Sequence, residues 1–183
     1  QALKRAGSNI VLFVGRITLQ KGPDYFIKVA KRVLEYAPKT YFVMVGSGDM
    51  MGQVVNAAAS LGISDRVIFP GFLRGEELHR VYQAADVYVL PSVSEPFGIT
   101  PLESLANGTP VIVSRQSGVA EVLKHALKVD FWDIDEMTNQ ILSIFRHQAL
   151  KHTLAVEGRR EVGRLSWSVA AEKCLAFYRR LNP

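Results

Sequence analysis

The run Val87-Tyr88-Val89-Leu90 leads into Ser94-Glu95-Pro96-Phe97-Gly98-Ile99-Thr100-Pro101-Leu102-Glu103. The first four residues are continuously apolar rather than alternating. They therefore read as a strand covered on both faces, the pattern of a parallel sheet. A short helix is expected over 102–106. Strand, loop and helix start follow in the order that presents unpaired backbone amides to an anion. Two carboxylates, Glu95 and Glu103, flank an aromatic residue, a glycine and a threonine. The same residues have a second reading. Thr100-Pro101-Leu102-Glu103 matches a capping box, with Thr100 as N-cap and Glu103 reaching back to its amide.

Outward from this stretch, short apolar runs alternate with amphipathic ones. Strands are expected over 9–14, 41–45, 67–69, 87–90, 110–113 and 126–129. Helices are expected over 23–36, 53–61, 76–85, 102–106, 119–124, 134–145, 147–162 and 168–181. Strict strand–helix alternation with continuous apolar strands implies a doubly wound α/β sandwich on a parallel sheet. Ligands of such sheets bind outside the carboxyl ends of the strands, where the strand order reverses. The loops at those ends cover 15–22, 46–48, 70–75, 91–100 and 114–118. With strand order 3-2-1-4-5-6, the loop from Gly15 to Gly22 faces the Glu95–Glu103 stretch. Arg16 and Lys21 then meet a helix N-terminus, a combination suited to a diphosphate. Each of the two cations also reads as an ordinary loop charge. Gly46-Ser47-Gly48 equally reads as a turn that needs glycine for its backbone angles.

The 183 residues, 48% hydrophobic and 21% charged, are enough for one globular domain spanning 1–183. No run of 18 apolar residues is present, so no membrane span is expected. Residues 1–7 lack the apolar core of a signal peptide, and the chain starts with Gln rather than Met, as a piece of a longer protein would. Cys174 is the single cysteine, which fits a reducing, cytoplasmic compartment. The net charge is +5 and the pI about 9.4. Arg159, Arg160 and Arg164, and again Arg179 and Arg180, read as solvated helix faces or as weak attraction to an anionic leaflet at the inner face of a membrane. No aromatics interleave with them as a base-stacking platform would require, so nucleic acid is not an expected partner. The four histidines show no metal-ligand spacing. Asp130, Asp133 and Asp135 read as turn and cap residues, and Trp132 and Trp167 as core anchors. A dinucleotide-binding oxidoreductase would need Gly-x-Gly-x-x-Gly after the first strand, and Gly15-Arg16 with Lys21 stands there instead.

Taken together, these marks resemble the retaining glycosyltransferases of GT-B fold, family 4 type, with the related glycogen and starch synthases. The spacing Glu95-x7-Glu103 looks like their hallmark. Val-Gly-Arg16 with Lys21-Gly22, Val-Gly46-Ser-Gly48, Gly71-Phe72, Ala85-Asp86 through Pro91-Ser92, Gly108-Thr-Pro-Val and Gly118-Val-Ala-Glu121 follow in family order. The likeness is strong over 9–124 and returns at Ser166-Trp167-Ser168. It implies the second, donor-binding domain of a two-domain enzyme, with a partner domain that holds the acceptor. The helix over 166–183 would pack on that domain.

The resemblance implies the following roles. Arg16 and Lys21 neutralise the leaving diphosphate. Glu95 binds the sugar near its reacting face, and Glu103 accepts from the ribose hydroxyls. Backbone amides of Phe97, Gly98, Ile99 and Thr100 contact sugar hydroxyls and a phosphate. Phe72 and Leu73, with Gly15, Gly46 and Ser47, border the nucleotide. The donor is a UDP, GDP or ADP sugar, and no metal or other cofactor is required. Two departures stand out. Ser117 replaces a glycine common beside the site, and Ala126-Leu127-Lys128-Val129 replaces the usual Gly-Leu-Val. Two alternatives keep the fold: a GT-B-type sugar-nucleotide epimerase, and a non-catalytic nucleotide-binding module.

Overall fold

The computed structural model describes residues 7–181, so the signal-peptide reading of the first residues falls largely outside them. Six parallel strands form one sheet: β1 (Asn9–Val14), β2 (Thr40–Val45), β3 (Val67–Gly71), β4 (Val87–Leu90), β5 (Val111–Ser114) and β6 (Leu127–Val129). Their order is β3-β2-β1-β4-β5-β6, the expected one. Val11 pairs with Val87 and Leu12 with Tyr88 across the central junction. β3 contains Pro70, which its place at the sheet edge tolerates, since an edge strand needs no donor on its outer side.

Among the described residues, five α-helices connect the strands and three follow the last one: α1 (Pro23–Tyr36), α2 (Met51–Ser60), α3 (Gly75–Ala84), α4 (Ile99–Ala106), α5 (Val119–Val122), α6 (Ile134–Arg146), α7 (Gln148–Val162) and α8 (Trp167–Leu181). Successive strand residues point to opposite faces, so one strand feeds two cores. Val11 and Phe13 of β1 pack with Phe26 and Val33 of α1 and Ile141 of α6. Ile10, Leu12 and Val14 pack on the other face with Tyr82 of α3, Leu105 of α4 and Val119 of α5. This is why the strands read as unbroken apolar runs.

Most element boundaries fall within one or two residues of expectation. α4 is the exception, beginning at Ile99 rather than at position 102. Asp133 caps α6 by accepting from the Glu136 amide, as its turn-and-cap reading requires. The tryptophans are not core anchors. Trp132 is 56% exposed and Trp167 is 81% exposed. Trp132 sits at a strand-to-helix corner, edge-on to Phe131, while Trp167 opens α8, a helix with no buried residue. An apolar residue type alone does not distinguish a core position from a surface one.

Two polar contacts anchor α7. Lys151 pairs with buried Asp86, which also accepts from the Ile10 amide. Glu161 accepts from the Lys124 and His125 amides. Burial pushes the Glu161 carboxyl up, but these donors and the His125 ring outweigh it and hold it below its ordinary value.

The loops after β1 and β4 are laced together. Val93 donates its amide to the Gln20 carbonyl at 3.0 Å. Gly22, at φ 63°, lies so close to β4's loop that a Cβ would stand 2.1 Å from the Pro91 oxygen. Gly22→Ala therefore combines a strained backbone angle with a backbone clash, and it should destabilise by about 2 kcal/mol or more. Its melting temperature should fall by about 4–8 °C. Gly52, in α2 with nothing within 4 Å of its Cβ position, is the control. Gly52→Ala should raise the melting temperature by about 1–2 °C through helix propensity and a less flexible unfolded chain. Equal melting temperatures for the two variants would contradict this account of the loop junction.

Candidate functional site

The strand order reverses between β1 and β4, so their following connections leave in opposite directions and open a crevice at the carboxyl edge of the sheet. A cavity of about 370 Å³ occupies it. Gly15 and Arg16 from the end of β1, and Gly46 and Ser47 from the end of β2, form one wall. Phe72 and Leu73 from the β3–α3 loop form the second, and Thr100 and Glu103 of α4 the third. These are residues singled out from the sequence, brought together from three separate loops and the first turns of α4.

Close backbone approach shapes the first wall. Ile17 donates to the Ser47 carbonyl, and Gly15 to that of Val45. A Cβ on Gly46, whose φ is 139°, would stand 1.9 Å from the Gly15 oxygen. Glycine is therefore demanded here by packing as well as by backbone angle. Arg16 is exposed and has no ion-pair partner among the described residues, so its charge faces solvent at the mouth. In the second wall, the Arg74 guanidinium lies 4.8 Å from the centre of the exposed Phe72 ring. Arg74 and Leu78 complete this wall and were not singled out from the sequence. A basic residue two positions after Phe72 was the available signal.

Lys21 and Glu95 are together but form a pair of their own. Their side chains make an ion pair, and neither group lines the 370 Å³ cavity. Glu95 also anchors the neighbouring loop, because its carbonyl accepts from the Gly118 amide at 2.9 Å. Phe97 and Ile99 are elsewhere. They line a second, apolar groove against Leu165 and Trp167 at the start of α8. Ser117 does not present its hydroxyl to the site. It is buried and donates to the Ser114 carbonyl at 2.6 Å.

The capping box is not formed. Gly98 occupies the N-cap of α4 and no side chain caps the helix. Tertiary partners take the two box residues instead. Thr100 Oγ1 lies 2.7 Å from the Tyr88 hydroxyl, and Glu103 Oε2 accepts from the Tyr82 hydroxyl at 2.9 Å. The α4 amide end is thus left without a side-chain cap, and Thr100 of its first turn stands at the cavity, near the positive end of the helix dipole.

Tyr82 and Tyr88 lie beneath the cavity, 1% and 0% exposed, with ring centres 6.2 Å apart. Burial pushes both phenols well above the ordinary tyrosine range. The neighbouring Glu103 charge adds to the rise in each, and the Thr100 contact offsets part of it at Tyr88. The sequence places Tyr88 in an apolar strand and Tyr82 in an amphipathic helix, with no polar role evident for either. A phenol within an otherwise aliphatic strand was the only hint. Among the described residues no cluster of His, Cys, Asp or Glu has a metal-binding arrangement, and no helix is long and apolar enough to cross a membrane.

Comparison with known proteins agrees with this geometry. The chain belongs to the glycosyl transferases group 1 family, whose profile matches residues 1–161. An uncharacterized glycosyltransferase of Methanocaldococcus jannaschii is 46% identical over 116 residues, 63% of this chain and 30% of the relative. Mannosylfructose-phosphate synthase of Agrobacterium fabrum is 31% identical over 180 residues, covering 92% of this chain and 40% of that enzyme. Among solved structures, Anabaena HepE in complex with UDP-glucose superposes with a TM-score of 0.85 at 21% identity, over 97% of this chain and 50% of that one. The chain thus spans half or less of the length of these relatives. The sheet and its flanking helices are those of the C-terminal domain of GT-B glycosyltransferases.

The buried phenols yield a test of the site floor. Unfolded chains ionise tyrosine near pH ~10, whereas the folded protein keeps Tyr82 and Tyr88 protonated. Their contribution to stability is therefore complete below pH ~10 and is lost as pH rises above it. In an ultraviolet titration followed alongside circular dichroism, both phenols should ionise only in the step that accompanies unfolding. Tyr82→Phe and Tyr88→Phe should each remove one phenol from that step. An unchanged step amplitude in both variants would contradict the buried, hydrogen-bonded placement.

Proposed function

We propose that this chain is the donor-binding domain of a retaining glycosyltransferase that moves a hexose from a nucleoside diphosphate sugar to an acceptor. The observation that carries the reading is the uncapped α4 terminus opening on a cavity that also holds Arg16 and Glu103. That arrangement offers amides and a cation to phosphate oxygens and a carboxylate to sugar hydroxyls. The complex of Anabaena HepE with UDP-glucose supports a nucleotide sugar as ligand.

In this reading the bond from the sugar's anomeric carbon to the diphosphate oxygen breaks, and a bond to the acceptor oxygen forms on the same face. The acceptor proton passes to the departing phosphate. Negative charge grows on the diphosphate as it leaves. Arg16, Lys21 and the amides of Phe97, Gly98, Ile99 and Thr100 oppose that charge, so no metal is needed. Glu95 contacts the sugar near its reacting face, and Glu103 receives the ribose. Gly15, Gly46, Ser47, Phe72 and Leu73 border the nucleotide. Lys21 is paired with Glu95 in the free protein, so the diphosphate competes with that carboxylate for the ammonium. The acceptor belongs to a further domain, and the exposed apolar side of α8, with Phe177 and Leu181, is the surface that domain covers. Arg159, Arg160, Arg164, Arg179 and Arg180 supply weak attraction to an anionic membrane surface, and the enzyme works in the cytoplasm.

Isothermal titration with UDP, GDP and ADP tests the site. One of the three should bind the wild-type protein. Lys21→Ala and Glu103→Ala should each weaken it by roughly tenfold to a hundredfold, the range for a hydrogen bond to a charged group. Unchanged affinity in both variants would sink the assignment.

A further inference from the structure

Tyr82 is not among the groups that face the cavity, yet its single hydroxyl proton decides how Glu103 can be used. The phenol is 1% exposed and donates to Glu103 Oε2 at 2.9 Å. The other carboxylate oxygen, Oε1, has no hydrogen-bond partner among the described residues. A carboxylate tethered at one oxygen and open at the other is a directed acceptor. The neighbouring Tyr88 hydroxyl reaches both the Val14 carbonyl at 3.2 Å and Thr100 Oγ1 at 2.7 Å, and at the shorter contact either oxygen can be the donor. The open Oε1 of Glu103 can only accept, so it suits a ligand hydroxyl rather than a phosphate oxygen.

We infer that Tyr82 is a positioning residue for ribose recognition, holding Glu103 so that its open oxygen accepts from a ribose hydroxyl. This rests on the donor-site reading above. Burial keeps the phenol protonated, and therefore a donor, throughout the neutral range. Tyr82→Phe removes one oxygen and keeps the ring that packs on Tyr88. The carboxylate is then free to turn.

The test is the ratio of affinities for ribose and deoxyribose ligands, measured by titration calorimetry with UDP, GDP and ADP and the 2′-deoxy and 3′-deoxy form of each. The wild-type protein should bind its preferred ribonucleotide about tenfold more tightly than at least one deoxy form, as loss of a hydrogen bond to a charged group implies. In Tyr82→Phe that ratio should fall to about twofold. Inorganic pyrophosphate should bind both proteins equally, which a general loosening of the site would not allow. In a Glu103→Gln background, Tyr82→Phe should change the ratio no further. An unchanged ratio in Tyr82→Phe, or equal ribo and deoxy affinities in the wild type, overturns the role of Tyr82 and leaves the donor site standing. Failure of all three ribonucleotides to bind the wild type overturns the donor-site reading, and this inference with it.

Discussion

The pairing of β1 with β4 is the constraint on which the rest depends. These neighbours share register at Val11–Val87 and Leu12–Tyr88, and their onward connections leave in opposite directions. A crevice opens at the carboxyl edge of the sheet beside this junction, where the loops after β1 and β4 meet. Because the sheet is parallel and buried on both faces, every loop that carries a polar function is forced to that same edge. The cavity therefore collects residues from the ends of β1, β2 and β3 and from the start of α4, far apart in the chain.

A crevice holds a defined shape only if its loops are fixed to one another. Here backbone groups do that work. Val93 bonds to Gln20, Ile17 to Ser47, Gly46 to Gly71 and Gly118 to Glu95, while Gly22 and Gly46 allow approaches that a Cβ would block. The α4 terminus is then left without a side-chain cap, and its polar neighbours are tied down from below by Tyr82 and Tyr88. A capped helix start would have satisfied the same amides internally and left little for an anion. Fold stability and site chemistry thus compete for Thr100 and Glu103, and the buried phenols settle the competition in favour of an open site.

The fold was largely legible from the chain. The continuous apolar runs and their spacing gave six strands, the helices between them, and through the fold rule the place where loops converge. The family marks around Glu95 and Glu103 pointed to a glycosyltransferase domain, and the profile match over residues 1–161 agrees. The misreadings have a common origin. Thr100 and Glu103 satisfied a local capping pattern, and Trp132 and Trp167 a residue-type preference. In each case a tertiary neighbour, or the lack of one, overruled the local rule.

By itself the sequence determined the class of structure, because hydrophobic periodicity records how many faces of each element are buried, and glycines record where backbones meet. It also set the chemical inventory around the crevice: the carboxylates Glu95 and Glu103, the cations Arg16 and Lys21, and a helix start between them. Only the tertiary structure decided how that inventory is connected. It paired Lys21 with Glu95, left Arg16 at the mouth, placed Arg74 against Phe72, and set Tyr82 under Glu103. Lys21 and Glu95 lie 74 positions apart and Tyr82 and Glu103 lie 21 apart, and such distances become fixed only when the sheet has closed and its two cores have packed.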